Sequence, residues 1–66
     1  HGHTALIHAA GNGHAPVVTL LLADQRVNPN MTNDHGLTAL MIAAIKGYVP
    51  VVTLLLAESF LEKMQN

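Results

Sequence analysis

Pro16-Val17-Val18-Thr19-Leu20-Leu21-Leu22-Ala23 is written a second time, letter for letter, from Pro50 to Ala57. The surrounding residues return at the same distance. Thr4-Ala5-Leu6 reappears as Thr38-Ala39-Leu40, Ala9-Ala10 as Ala43-Ala44, and Gly13 as Gly47. Every offset is 34 residues (38 − 4, 47 − 13, 50 − 16). Self-similarity at such a period marks a stacked solenoid, in which each unit hides its apolar face only against a neighbour. That pattern points away from a catalytic pocket and toward an extended surface.

Each unit reads as two helices and a loop. Ala5, Leu6, Ala9 and Ala10 fall on one helical face, with Thr4 placed to cap the free N–H groups of a helix that begins at Ala5. Asn12 and Gly13 predict its end, since glycine adopts the left-handed conformation at little cost. Pro16 predicts a new start, because a first turn does not need the missing N–H. Val17, Val18 and Leu20 to Leu22 make the second helix apolar on most sides, so it requires cover from its partner and from the next unit. Asn28-Pro29-Asn30 and Asn33-Asp34-His35-Gly36 are turn signals within the linker. The scheme then repeats, with Thr38 as cap, Gly47 as stop and Pro50 as restart. Units of 1–34 and 35–66 follow, the first with a truncated tip. Glu58 to Gln65 holds no Gly or Pro, so the last helix is expected to run on toward residue 64 and to serve as a makeshift cap for that end.

Composition narrows the function classes. Of 66 residues, 50% are apolar and 11% charged, with a net charge of −1. Such a balance gives no electrostatic reason to expect nucleic acid or anionic lipid as a partner. The chain has no cysteine, which excludes a disulfide framework and fits a reducing compartment, cytoplasm or nucleus. No apolar run is long enough to span a bilayer. The chain begins and ends inside the repeat pattern, which reads as a piece of a longer array.

The motif G-x-T-A-L-x-x-A-A-x-x-G-[HY]-x-P-V-V-x-L-L-L, present in two copies over essentially the whole chain, resembles the ankyrin repeat. Gly2, Thr4, Leu6, Ala9, Ala10, Gly13, His14 and Leu20 to Leu22 carry the likeness in the first copy. Gly36, Thr38, Leu40, Ala43, Ala44, Gly47 and Leu54 to Leu56 carry it in the second. The family's T-P-L-H is altered to Thr4-Ala5-Leu6-Ile7 and Thr38-Ala39-Leu40-Met41, which removes the histidine partner of the threonine. The loop from Ala23 to Asn30 looks one residue longer than the family's usual form. The resemblance implies an all-α solenoid of two stacked antiparallel helix pairs joined by a hairpin-like loop. It also implies a protein-binding scaffold without chemistry of its own. Contact residues would be Thr32, Asn33, Asp34, His35 and Leu37 at the tip, with His1 and His3 at the broken first tip. His8, Gly11, Asn12, Ile42, Ile45 and Lys46 would line the groove.

The remaining features weigh little. His1 and His3 could share one metal ion, with His8 approaching from the helix, yet no H-E-x-x-H, no Cys/His framework and no positioned carboxylate accompanies them. Surface or packing roles are the simpler reading of all five histidines. Thr4 and His8 are four residues apart, a helical spacing, but Thr4 is read as already used in capping and so is not free as a nucleophile. Asp24, Asp34, Glu58 and Glu62 are scattered, apart from the last two on one helical turn. Gly11-Asn12-Gly13 follows a helix, not a strand, so it does not form a phosphate-binding turn. Met41 reads as a filler of an irregular gap. No enzyme activity and no cofactor is expected. The leading expectation is a protein-interaction module with a partner of unstated identity. The alternative is a structural element that stacks on copies of itself through its open ends. Histidine-based metal binding comes last.

Overall fold

The computed structural model describes residues 2–65. Four helices follow one another: α1 (His3–Gly11), α2 (Ala15–Leu22), α3 (Ala39–Lys46) and α4 (Val49–Met64). There is no strand among the described residues. α1 pairs with α2 and α3 with α4, and the pairs stack so that α1 lies on α3 and α2 on α4.

The turns inside each pair are built alike. Gly13 and Gly47 take φ of 71° and 74°. Around the first, His14 N–H donates to the Ala9 carbonyl at 3.0 Å and Gly13 N–H to that of Ala10 at 3.2 Å. Around the second, Tyr48 N–H donates to Ala43 at 3.0 Å and Gly47 N–H to Ala44 at 3.1 Å. These paired bonds satisfy the last carbonyls of α1 and α3 and reverse the chain with a left-handed residue. Pro16 and Pro50 then sit in the first turns of α2 and α4, where a missing N–H costs nothing.

The helix starts are not alike. Thr38 stands in extended backbone before α3, and its side chain accepts from Met41 N–H at 3.2 Å. Thr4 does not repeat that role. α1 begins at His3 with Gly2 as its cap at φ 73°, no side-chain cap bond forms, and Thr4 is an exposed residue of the first turn. The first helical bond of α1 runs from Leu6 N–H to the Gly2 carbonyl at 2.8 Å, two residues earlier in the repeat than that of α3, from Ile42 N–H to Thr38 at 3.1 Å, so the helix opens before Thr4. A Cβ at Gly2 would come 3.0 Å from Val27 Cγ2. The linker is thus pinned beneath this end of α1 by buried Val27.

The core is made of Leu6, Ala10, Val18, Ala39, Ala43 and Val51, each no more than 1% exposed. Small residues dominate where α1 crosses α3, which lets the two backbones approach closely. Val18 of α2 and Val51 of α4, at neighbouring and not equivalent repeat positions, are both fully buried, and each contributes about 1.5–3 kcal/mol by leaving water. The extended α4 does reach Met64. Its added turns do not present a polar outer face, because Phe60, Leu61 and Met64 are each more than half exposed. Met41 fills no gap either; it is 48% exposed on α3.

Candidate interaction surface

The tip between the pairs is held by one side chain. Asn33 Oδ1 accepts from His35 N–H at 2.9 Å and from Leu37 N–H at 3.0 Å. Its backbone N–H donates to the Leu37 carbonyl at 2.9 Å, and its carbonyl accepts from Gly36 N–H at 3.0 Å. An Asn side chain that mimics a backbone turn in this way is well suited to a tight reversal. The consequence is positional: Asn33 and Leu37 are half-buried at the base, while Thr32, Asp34, His35 and Gly36 are exposed.

His3, half-buried at the start of α1, lines a small depression together with Thr32, Asn33 and Asp34. His1 lies outside the described residues. Among those residues no group of three or more His, Cys, Asp or Glu side chains is placed to hold a metal ion.

Along the helices the groove positions separate into two kinds. His8, Asn12, Ile45 and Lys46 are exposed, with Ile45 at 72%. Gly11 is buried and Ile42 half-buried, because they meet at the junction of the pairs. A Cβ at Gly11 would lie 3.3 Å from Ile42 Cγ2. Lys46 Nζ donates to the Gly11 carbonyl at 2.8 Å, across 35 residues of chain. A partner therefore meets Gly11 only as a dip in the surface. Beside it, the Tyr48 ring covers Gly13, with ring carbons 3.2–3.3 Å from where a Cβ would stand. Tyr48 and Gly13 are junction residues whose contact helical periodicity does not reveal: Gly13 is legible as a helix stop, and Tyr48 only as a departure from His14 at one repeat position.

The linker carries the one ion pair among the described residues. Arg26 NH2 and Nε reach the two carboxylate oxygens of Asp24 at 2.9 and 3.1 Å, and Arg26 N–H also donates at 2.9 Å. The Arg26 side-chain hydrogen bonds, followed by the backbone bond, lower the Asp24 carboxyl to about 2. Both groups are solvated, so this is a local clamp on the turn and not a chemical site.

Stacked helix pairs with small-residue junctions, glycine-ended first helices and a projecting turn define a helical repeat scaffold. A family model described as ankyrin repeats (3 copies) matches residues 1–65, and the chain belongs to that family; two of its helix pairs are present here. Neither comparison with curated proteins nor comparison with solved structures gave a match. Ankyrin repeats generally act as protein–protein interaction modules and are typically non-catalytic.

Proposed function

We propose that this chain binds a protein partner through the exposed tip and the adjoining face of the first helices. The observation that carries this reading is the spending of Asn33 on its own turn, which fixes Thr32, Asp34 and His35 outward on a rigid base. Preordered contact residues lower the entropy lost on binding. Beside them His8, Ile42 and Ile45 supply a mixed polar and apolar strip, and the dip at Gly11 separates the two helices. Asn12 and Lys46 border that strip, and His3 and Leu37 support the tip.

The test replaces Thr32, Asp34 and His35 together by alanine, leaving Asn33 to hold the turn. A protein captured by the wild-type chain should be lost by this variant, with helicity unchanged by circular dichroism. It should be retained by a control carrying Lys63→Ala and Gln65→Ala at the far end of α4. Capture that survives the tip replacement overturns the placement.

The competing reading, end-to-end stacking on copies of this chain, has its own observation. Val17, Leu20 and Leu56 are 42%, 73% and 53% exposed on the outer faces of the stack. Apolar faces of this kind are what a solenoid unit normally buries against a neighbour.

A further inference from the structure

The outer face of α1 and α2 repeats the floor of the inner junction but not its rim. Inside the molecule, the second pair turns Ala39, Ala43 and Val51 inward, and all three are fully buried. The matching residues of the first pair, Ala5, Ala9 and Val17, floor an open depression on the opposite side. That floor is the same surface as one already seated in the molecule, so a helix pair is the shape it fits.

The rim differs at every residue that holds the inner junction. Ile42 sits against Gly11, Lys46 donates to the Gly11 carbonyl, and the Tyr48 ring covers Gly13. One repeat earlier the depression carries His8, Asn12 and His14 at those places. The facing side changes too: the second pair has Ile45, 72% exposed, where the first has buried Gly11. A copy stacked head to tail would press Ile45 onto His8 where Gly11 now meets Ile42. Overfilling such a contact forces side chains off their rotamers. Asn12 does not stand in for Lys46: its side chain lacks the four-carbon stem, and its amide is turned back onto its own helix, donating to the His8 carbonyl at 2.8 Å.

We propose that His8, Asn12, His14 and Ile45 form a junction code that keeps the two ends of this chain from joining each other. The depression between α1 and α2 accordingly takes a helix pair of different sequence, one whose first helix ends in a glycine-sized residue opposite His8. This goes beyond the partner-binding reading: it does not depend on the tip, and it gives the groove residues His8, Asn12 and Ile45 a second role at the ends of the stack. It decides against end-to-end stacking of identical copies.

Sedimentation velocity of the full chain across a wide concentration range tests it. The wild type should sediment as a monomer. Ile45→Gly, which restores the residue of the first pair, should associate head to tail. Adding His8→Ile, Asn12→Lys and His14→Tyr should tighten that association by about tenfold or more. Ala44→Gly weakens the same helix without opening the face and should stay monomeric. Ile45→Ala, a strong helix former, carries the same comparison if glycine unfolds α3. Wild-type chain that associates as tightly as the fourfold variant overturns the proposal. So does a folded fourfold variant that remains a monomer, or an Ala44→Gly chain that associates as Ile45→Gly does.

Discussion

Lys46 Nζ is bonded to the Gly11 carbonyl at 2.8 Å, so the cation of one helix pair closes the last turn of the other. The carbonyl end of a helix carries partial negative charge, which favours an ammonium there. Gly11 is the last residue of α1, and its lack of a side chain leaves its carbonyl open to Lys46.

Lys46→Met keeps most of the stem and removes the donor. Stability should fall by about 1 kcal/mol, below the usual range for a charged hydrogen bond because Lys46 is largely solvated. A chain of this size should then melt about 4–8 °C lower. A urea titration with an unchanged slope and an unchanged midpoint would show that the bond contributes nothing.

Gly13 and Gly47 share a left-handed conformation, φ 71° and 74°, but not surroundings. A Cβ at Gly47 meets nothing within 4 Å, whereas one at Gly13 meets the Tyr48 ring at 3.2 Å. Gly47→Ala should cost about 1 kcal/mol for backbone strain alone. Gly13→Ala should cost more, and pairing it with Tyr48→Ala should recover part of the excess. Equal losses in thermal melts of the two single variants would mean that the ring yields freely.

The two threonines give a third comparison. Thr38→Ala removes an accepted bond at the start of α3 and should destabilise by about 1 kcal/mol. Thr4→Ala removes no cap and should leave the melting curve within about 0.5 kcal/mol of wild type. A larger loss at Thr4 than at Thr38 would contradict the assigned start of α1.

Those threonines also mark where reading the chain succeeds and fails. Proline restarts, glycine stops and the long final helix follow from rules acting within a few residues, and all are legible in the letters. Thr4 is written like Thr38, and each follows a left-handed glycine two residues before it, yet Gly2 caps α1 while Thr38 caps α3; the letters do not tell the two starts apart. Thr32, Asp34 and His35 are legible as tip residues through the turn around them, although the side chain that holds the turn is Asn33. The junction is the least legible part. Lys46 with Gly11, Ile42 with Gly11 and Tyr48 with Gly13 join positions about a repeat apart at which the copies mostly differ. Periodicity within a helix does not pair them, and comparison of the two copies records them only as mismatches.

Asp24 sets the acid limb of linker stability. Its folded carboxyl titrates at about 2, against an ordinary value of 3.8, through the Arg26 hydrogen bonds. A lowered carboxyl contributes stability that is complete above the unfolded value and is lost as pH falls toward the folded one. The affected window therefore runs from about pH 4 down to 2. Because both groups are solvated and only two residues apart, the unfolded chain retains part of the pairing, and the stabilising effect is small and weakened by salt. Arg26→Gln should return the Asp24 titration, followed by NMR of its side-chain carbon, to the ordinary carboxylate range. The Val27 amide, which donates to the Asp24 carbonyl at 3.0 Å, should then exchange faster. An Asp24 midpoint unmoved by Arg26→Gln would rule out the guanidinium as the cause.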